Sequence, residues 1–98
     1  MRNVEIPLPR DVDCGVVECA IDESIIGVGL TVTMRAALKK FPGCHWHTKN
    51  GRESGTLEIT LWPREQRAWF TIQSGRTAAW IDEKIGMLSV AIRERLND

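Results

Sequence analysis

The sequence has few features that would tie it to a particular compartment or chemistry. It contains three cysteines and no Cys-x-x-Cys pair, so no disulfide framework is expected and a reducing cytoplasm is the predicted location. Its longest nearly apolar run covers residues 25–30, far fewer than the roughly 20 residues that cross a bilayer. The first residues contain no continuous apolar segment, so no signal peptide is expected there. We therefore expect no membrane partner.

The chain also lacks an excess of charge of either sign. Thirteen basic and thirteen acidic residues among 98 leave no overall field that would attract nucleic acid or an anionic membrane. With 43% hydrophobic and 27% charged residues, the composition is that of a globular protein. The length suits one domain, and no internal repeat or linker divides it. We predict a single domain over residues 1–98.

Familiar catalytic motifs are missing as well. The chain has no HExxH, no Rossmann glycine fingerprint and no P-loop. Cys44 precedes His45, but neighbours on a strand point apart and form no nucleophile–base pair. Residues 74–77, Ser-Gly-Arg-Thr, could hold a phosphate through free N–H groups and Arg76, or form a plain helix cap and turn. The sequence favours a non-enzymatic protein without a cofactor.

Hydrophobic periodicity predicts a helix near each end of the chain. The first is expected over residues 13–28, with Asp13 as its N-cap and Gly29 after its last turn. The second is expected over residues 77–96, with Thr77 as its N-cap. Residues 1–11 contain two prolines and are predicted to form an extended arm.

Between the helices, alternation of polar and apolar residues predicts four strands. They are expected near residues 30–40, 44–49, 56–62 and 67–73. The first segment also fits a helix, but its β-branched residues favour a strand. The prediction is an α+β fold in which a four-stranded antiparallel meander packs one face against an N-terminal and a C-terminal helix, in the order α-β-β-β-β-α.

The opposite face of the sheet, called the outer face below, is predicted to carry no helix. The strand phases give it an aromatic and basic set: Arg35, Lys39, Trp62, Arg67 and Trp69. Exposed aromatic sheet surface is normally covered. The first functional interpretation is therefore an interaction domain that self-associates or binds a protein partner through this face. Indole faces and cations also suit single-stranded nucleic acid, which is the alternative.

The phase of the second strand depends on the turn before it. A two-residue turn would send His45 and His47 inward, whereas a three-residue turn pairs Leu38 with Trp46 and sends both histidines outward. Burying Trp46 costs less than burying two unpaired imidazoles, so the outward arrangement is preferred.

Outward histidines at positions i and i+2 suggest a third interpretation. His45 and His47 would project on one side of the strand and could share one metal ion with Glu58 from the next strand. Two nitrogens and one carboxylate suit zinc or iron(II) with open coordination positions, as in a small metal-dependent enzyme. The same residues could instead only hydrogen-bond to one another and to water.

Overall fold

The computed structural model describes residues 1–37 and 43–97 of the chain. Five strands and two helices follow the order β1-α1-β2-β3-β4-β5-α2. The bounds are Arg2–Ile6 for β1, Cys14–Gly27 for α1, Thr31–Ala37 for β2, Cys44–Lys49 for β3, Leu57–Trp62 for β4, Arg67–Ile72 for β5 and Ala79–Leu96 for α2. The predicted α+β class is confirmed.

All five strands form one antiparallel sheet in the order β1-β5-β4-β3-β2. The predicted four-stranded sheet lacked one strand, because the segment expected to be an extended arm supplies β1, which pairs with β5 along its whole length. Pro7 and Pro9 follow β1 and so remove no donor from its ladder. Ile6 at the end of β1 is buried in the core, which explains why this short strand docks.

Both helices cover the same face of the sheet, as predicted. A single cluster of buried apolar side chains joins them to that face. Its largest fully buried members are Ile21 and Ile25 from α1, Ile81, Leu88 and Ile92 from α2, and Trp46, Leu57, Ile59, Leu61 and Phe70 from the sheet. Within the described ranges, neither helix is long and apolar enough to cross a membrane.

The ends of α1 follow the capping signals in the sequence. The carboxylate of Asp13 accepts a hydrogen bond from the Gly15 N–H at 2.7 Å, which satisfies one free donor of the first turn. After the helix, Gly29 adopts a φ of +82°, a conformation that glycine reaches without steric cost.

The start of α2 differs from the prediction. Ala78, not Thr77, occupies the N-cap position, and no side chain caps the helix. Residues just before α2 instead pack on the loop that precedes β4, where the Thr56 N–H donates to the Arg76 carbonyl at 3.1 Å. This backbone hydrogen bond fixes the position of the main chain at Arg76, from which its side chain extends.

Residues 30–40, for which a helix was the competing interpretation, contain strand β2. Its pairing with β3 shifts between Val32 and Met34, which makes Thr33 the extra residue of a β-bulge. Because side chains alternate along a strand, one extra residue exchanges the two faces for everything that follows it.

The length of the turn decides which residue lies opposite Trp46. The ladder pairs Ala37 with Cys44 and Arg35 with Trp46, so six residues, not the predicted three, separate the paired ends of β2 and β3. The predicted pairing of Trp46 with Leu38 is wrong, and Leu38 itself lies outside the described residues. Trp46 nevertheless points into the core and is fully buried. The β4–β5 hairpin has the predicted four-residue loop, with Trp62 opposite Arg67.

Candidate functional site

The outer face carries the predicted aromatic residues. The rings of Trp62 and Trp69 stack with their centroids 6.3 Å apart, and the Arg67 guanidinium carbon lies 4.9 Å from the centroid of the Trp69 ring. Arg67 also forms an ion pair with Glu5 of β1 and a longer one, at 3.8 Å, with Glu65. The cation beside the indoles is therefore already neutralised by carboxylates.

Arg35 is not on the outer face, and the prediction that placed it there is wrong. The bulge in β2 turns it toward α1, where its guanidinium binds Asp22 at 2.9 and 3.0 Å and Glu18 at 2.9 Å. It also lies 5.5 Å from the centroid of the Trp46 ring. Lys39, the other predicted cation of β2, lies outside the described residues. With Arg35 turned inward and Glu5 added, the outer face is less basic than predicted.

Asp22 connects this arginine to the core tryptophan. The Trp46 indole N–H donates to Asp22 Oδ1 at 2.8 Å. Partial burial raises the pKa of Asp22, but the hydrogen bonds from Arg35 and Trp46 together with the Arg35 charge outweigh it, so this pKa lies below its ordinary value. Asp22 is therefore ionised at neutral pH.

The outer face also carries the predicted His45, His47 and Glu58 cluster, built by neighbouring strands. His45 and His47 alternate with inward-facing Trp46 on β3, and Glu58 lies opposite His47 on β4. His45 Nε2 lies 3.1 Å from both His47 Nε2 and Glu58 Oε1. His47 Nε2 lies 3.6 Å from the same Glu58 oxygen. Three potential ligand atoms thus converge on one point.

These distances match the requirements of a metal ion. A tetrahedral zinc site with bonds of about 2.0–2.1 Å separates its ligand atoms by about 3.3–3.4 Å, and the distances here are 3.1, 3.1 and 3.6 Å. A point about 2 Å from all three atoms therefore exists, just outside their plane. The imidazole centroids are 5.0 Å apart, farther than the two Nε2 atoms, so the rings direct these nitrogens toward each other.

Thr60 controls how His45 can use its second nitrogen. Its Oγ1 lies 2.8 Å from His45 Nδ1, and which group donates depends on the tautomer. When Nδ1 donates to Thr60, Nε2 presents a lone pair toward His47 and Glu58. A second hydrogen bond of this kind orients most metal-binding histidines.

The burial of the cluster is uneven. The side chain of Glu58 is 7% exposed, whereas those of His45 and His47 are 25% and 27% exposed. Burial lowers the pKa of His47, and the charges of His45 and Arg76 lower it further against the opposing effect of Glu58. His47 is therefore neutral at pH 7, which is the form that binds metals.

A cleft opens beside the cluster, bounded by His47, Glu58, Gln73, Ser74 and Arg76. This cleft is shallow and largely open to solvent, with a volume of about 440 Å³. The cluster therefore faces a space that a small ligand can enter from solvent.

Sequence reasoning missed two parts of this arrangement. The place of Thr60 beside His45 follows only from the register between β3 and β4. Arg76 was considered as part of a phosphate site or of a plain helix cap in residues 74–77, but nothing in these residues indicates that the turn folds toward β3. Gly55 packs closely against Arg76, but the sequence shows only a glycine there and does not indicate its partner.

Comparisons of the chain with protein-family models, with curated proteins and with solved structures found no significant match. Functional conclusions therefore depend on the residues themselves.

Proposed function

We propose that the protein binds one divalent transition-metal ion, most simply zinc, through His45, His47 and Glu58. The observation that carries this proposal is the convergence of two imidazole Nε2 atoms and one carboxylate oxygen at 3.1, 3.1 and 3.6 Å. Three protein ligands leave at least one coordination position for water or a ligand. The adjoining cleft gives access to that position.

The donor chemistry supports a cation at this point. A carboxylate only accepts hydrogen bonds, and a neutral imidazole whose Nδ1 donates to Thr60 also offers only a lone pair at Nε2. When His47 carries its proton on Nδ1, its Nε2 presents a third lone pair, and three lone pairs at these distances repel one another unless a metal ion lies between them. A metal ion satisfies all three at once, whereas one proton on Nε2 of His45 cannot bind both neighbours in good geometry.

The carboxylate supports the same proposal through its burial. Glu58 is nearly inaccessible on a face that has no helix above it, and a buried carboxylate requires a compensating charge. Within the described residues, the side chains that contact it and can carry a positive charge are His45 and His47, and an imidazole is charged only when both of its nitrogens are protonated. A divalent ion supplies the missing positive charge.

Self-association, a protein partner and single-stranded nucleic acid stay predictions for the outer face. The stacked indoles of Trp62 and Trp69 support the prediction of self-association. The pairing of Arg67 with Glu5 leaves less positive charge for phosphates beside the indoles than the sequence suggested.

Titration of tag-free, chelator-treated protein tests the proposal. Zinc should bind at one ion per chain in competition with a chromophoric chelator. Glu58→Gln keeps the shape of the side chain and removes its charge, so zinc affinity should fall by more than about 100-fold, since changes to residues that only support ligands already reduce affinity about 10–100-fold. In Thr60→Ala, which changes a residue that only supports a ligand, zinc affinity should fall about 10–100-fold.

Glu5→Gln is the matched control, because it makes the same change on the outer face away from the histidines. It should bind zinc like the wild type. Elemental analysis of the protein as purified identifies the ion and distinguishes zinc from iron. A wild-type chain that takes up neither ion, or equal zinc affinities in the Glu58→Gln and Glu5→Gln variants, would refute the proposal.

A further inference from the structure

Arg76 is an exposed cation beside the cluster without a described counterion. Its guanidinium forms no hydrogen bond or ion pair with any other residue in the ranges 1–37 and 43–97. It borders the cleft together with His47 and Glu58. The three arginines on the strands, Arg2, Arg35 and Arg67, are each paired with a carboxylate.

The backbone that presents Arg76 is held firmly. Its N–H donates to the Gln73 carbonyl and its own carbonyl accepts from the Thr56 N–H, both at 3.1 Å. A Cβ added at Gly55 would lie 3.1 Å from the same carbonyl, which shows how closely the two segments pack. An unpaired guanidinium on a fixed backbone is suited to bind a ligand, because less conformational entropy is lost on binding than from a mobile segment.

The charges around the cleft would favour an anion once a metal ion is bound. A divalent ion with two neutral histidines and one glutamate leaves a net charge of about +1, to which Arg76 adds another. Lys49 borders a neighbouring depression that shares His47 and Arg76 with the cleft. Glu58 is the one acidic residue among the side chains that line these two spaces in the described parts of the chain.

We propose that the cleft binds a small oxyanion, a carboxylate or phosphoryl group, with one oxygen on the metal ion and the others on the Arg76 guanidinium. The proposal rests on the metal site proposed above and adds the class of ligand that the site takes. A guanidinium offers paired N–H donors that fit the oxygens of either group, and a metal ion with an open position accepts the remaining oxygen.

Cobalt(II) in place of zinc allows metal and anion binding to be measured separately. The visible absorption of cobalt-loaded protein should change in a saturable way when inorganic phosphate or acetate is added. In Arg76→Gln the concentration of anion needed for half of this change should rise at least about tenfold, the loss expected for a charge-assisted hydrogen-bond pair. Arg52→Gln, the same change at an exposed arginine of the β3–β4 loop, should behave like the wild type.

Cobalt affinity in Arg76→Gln should be unchanged or higher, because the variant removes a positive charge near the ion. Cobalt binding with no response to either anion, or with equal responses in the wild type and Arg76→Gln, would overturn this inference and leave the metal site standing. Absence of cobalt binding in the wild type would overturn both. A response to phosphate alone or acetate alone, lost in Arg76→Gln, supports the inference and selects between the two groups.

Discussion

The hydrogen bond from the Trp46 indole to Asp22 is the contact whose energetic contribution can be predicted most closely. Asp22→Ala leaves the indole N–H of a fully buried tryptophan without its acceptor, and a lost partner of this kind costs about 1–3 kcal/mol. It also removes the ion pair with Arg35. That pair contributes about 0.2–1 kcal/mol, because both side chains are more than a third exposed and Glu18 remains as a partner.

The free energy of unfolding should therefore fall by about 1–4 kcal/mol in Asp22→Ala. Asp22→Asn retains an oxygen for the indole N–H and loses only the charge, so its expected loss is below about 1 kcal/mol. Glu18→Gln weakens the Arg35 ion pairs without touching the indole and should match Asp22→Asn.

Urea unfolding followed by circular dichroism measures all three variants. A fall in midpoint at constant slope reports a change in stability alone. The indole contact would contribute nothing if Asp22→Ala and Asp22→Asn differed by less than about 0.5 kcal/mol, half the contribution of an ordinary hydrogen bond.

The pH dependence provides a second test. The pKa of Asp22 is lower in the folded chain than its ordinary value. Its stabilising effect is therefore complete above the unfolded pKa of about 3.9 and is lost as the pH falls through the lower folded value. The advantage of the wild type over Asp22→Asn should be constant from pH 5 to 7 and shrink below about pH 4. An advantage that grew toward low pH would contradict the described contacts.

Three further predictions concern β1, the turn before β4 and the outer face. Ile6→Ala should lower the free energy of unfolding by about 2–5 kcal/mol because Ile6 is 3% exposed, whereas Arg2→Ala, which removes only an exposed ion pair with Asp82, should cost less than about 1 kcal/mol; equal losses in urea unfolding would mean that β1 does not join the core. Gly55→Ala should cost at least about 2 kcal/mol by thermal unfolding, since its Cβ would lie 2.7 Å from the Ala78 Cβ at a φ of +98°. Gly51→Ala, with φ of +59° and nothing within 4 Å, should cost only about 1 kcal/mol, and equal costs would contradict the close packing. If the stacked indoles mediate self-association, Trp69→Ala should shift the chain toward monomer in sedimentation velocity, and a wild type that is monomeric at high concentration would exclude a homodimer.

The elements that depend on local patterns could be predicted from the sequence. Capping at Asp13, the left-handed Gly29 and the four-residue β4–β5 loop all follow from chemistry within a few residues. The burial of Trp46 was predicted from a comparison of burial costs, although its assumed strand partner was wrong.

The elements that depend on distant contacts could not be predicted. The first strand pairs with residues more than sixty positions away, and its prolines suggested an arm because the signal for a short edge strand is weak. The bulge at Thr33 leaves no mark on the alternation pattern, and that single extra residue moved Arg35 to the other face. The metal ligands could be proposed from spacing, whereas Arg76 required the packing of two loops.

The strand order has a consequence for the role of α1. The first two strands in the chain lie at opposite edges of the sheet, so the connection that contains α1 crosses the full width of five strands, about 19 Å at the usual strand spacing. A helix of 14 residues is about 21 Å long. The helix is thus comparable in length to the width that the whole connection covers, and Glu18 and Asp22 on it form ion pairs with Arg35 of β2. The chain therefore reaches the far edge of the sheet through a helix whose own carboxylates bind the edge strand that follows it.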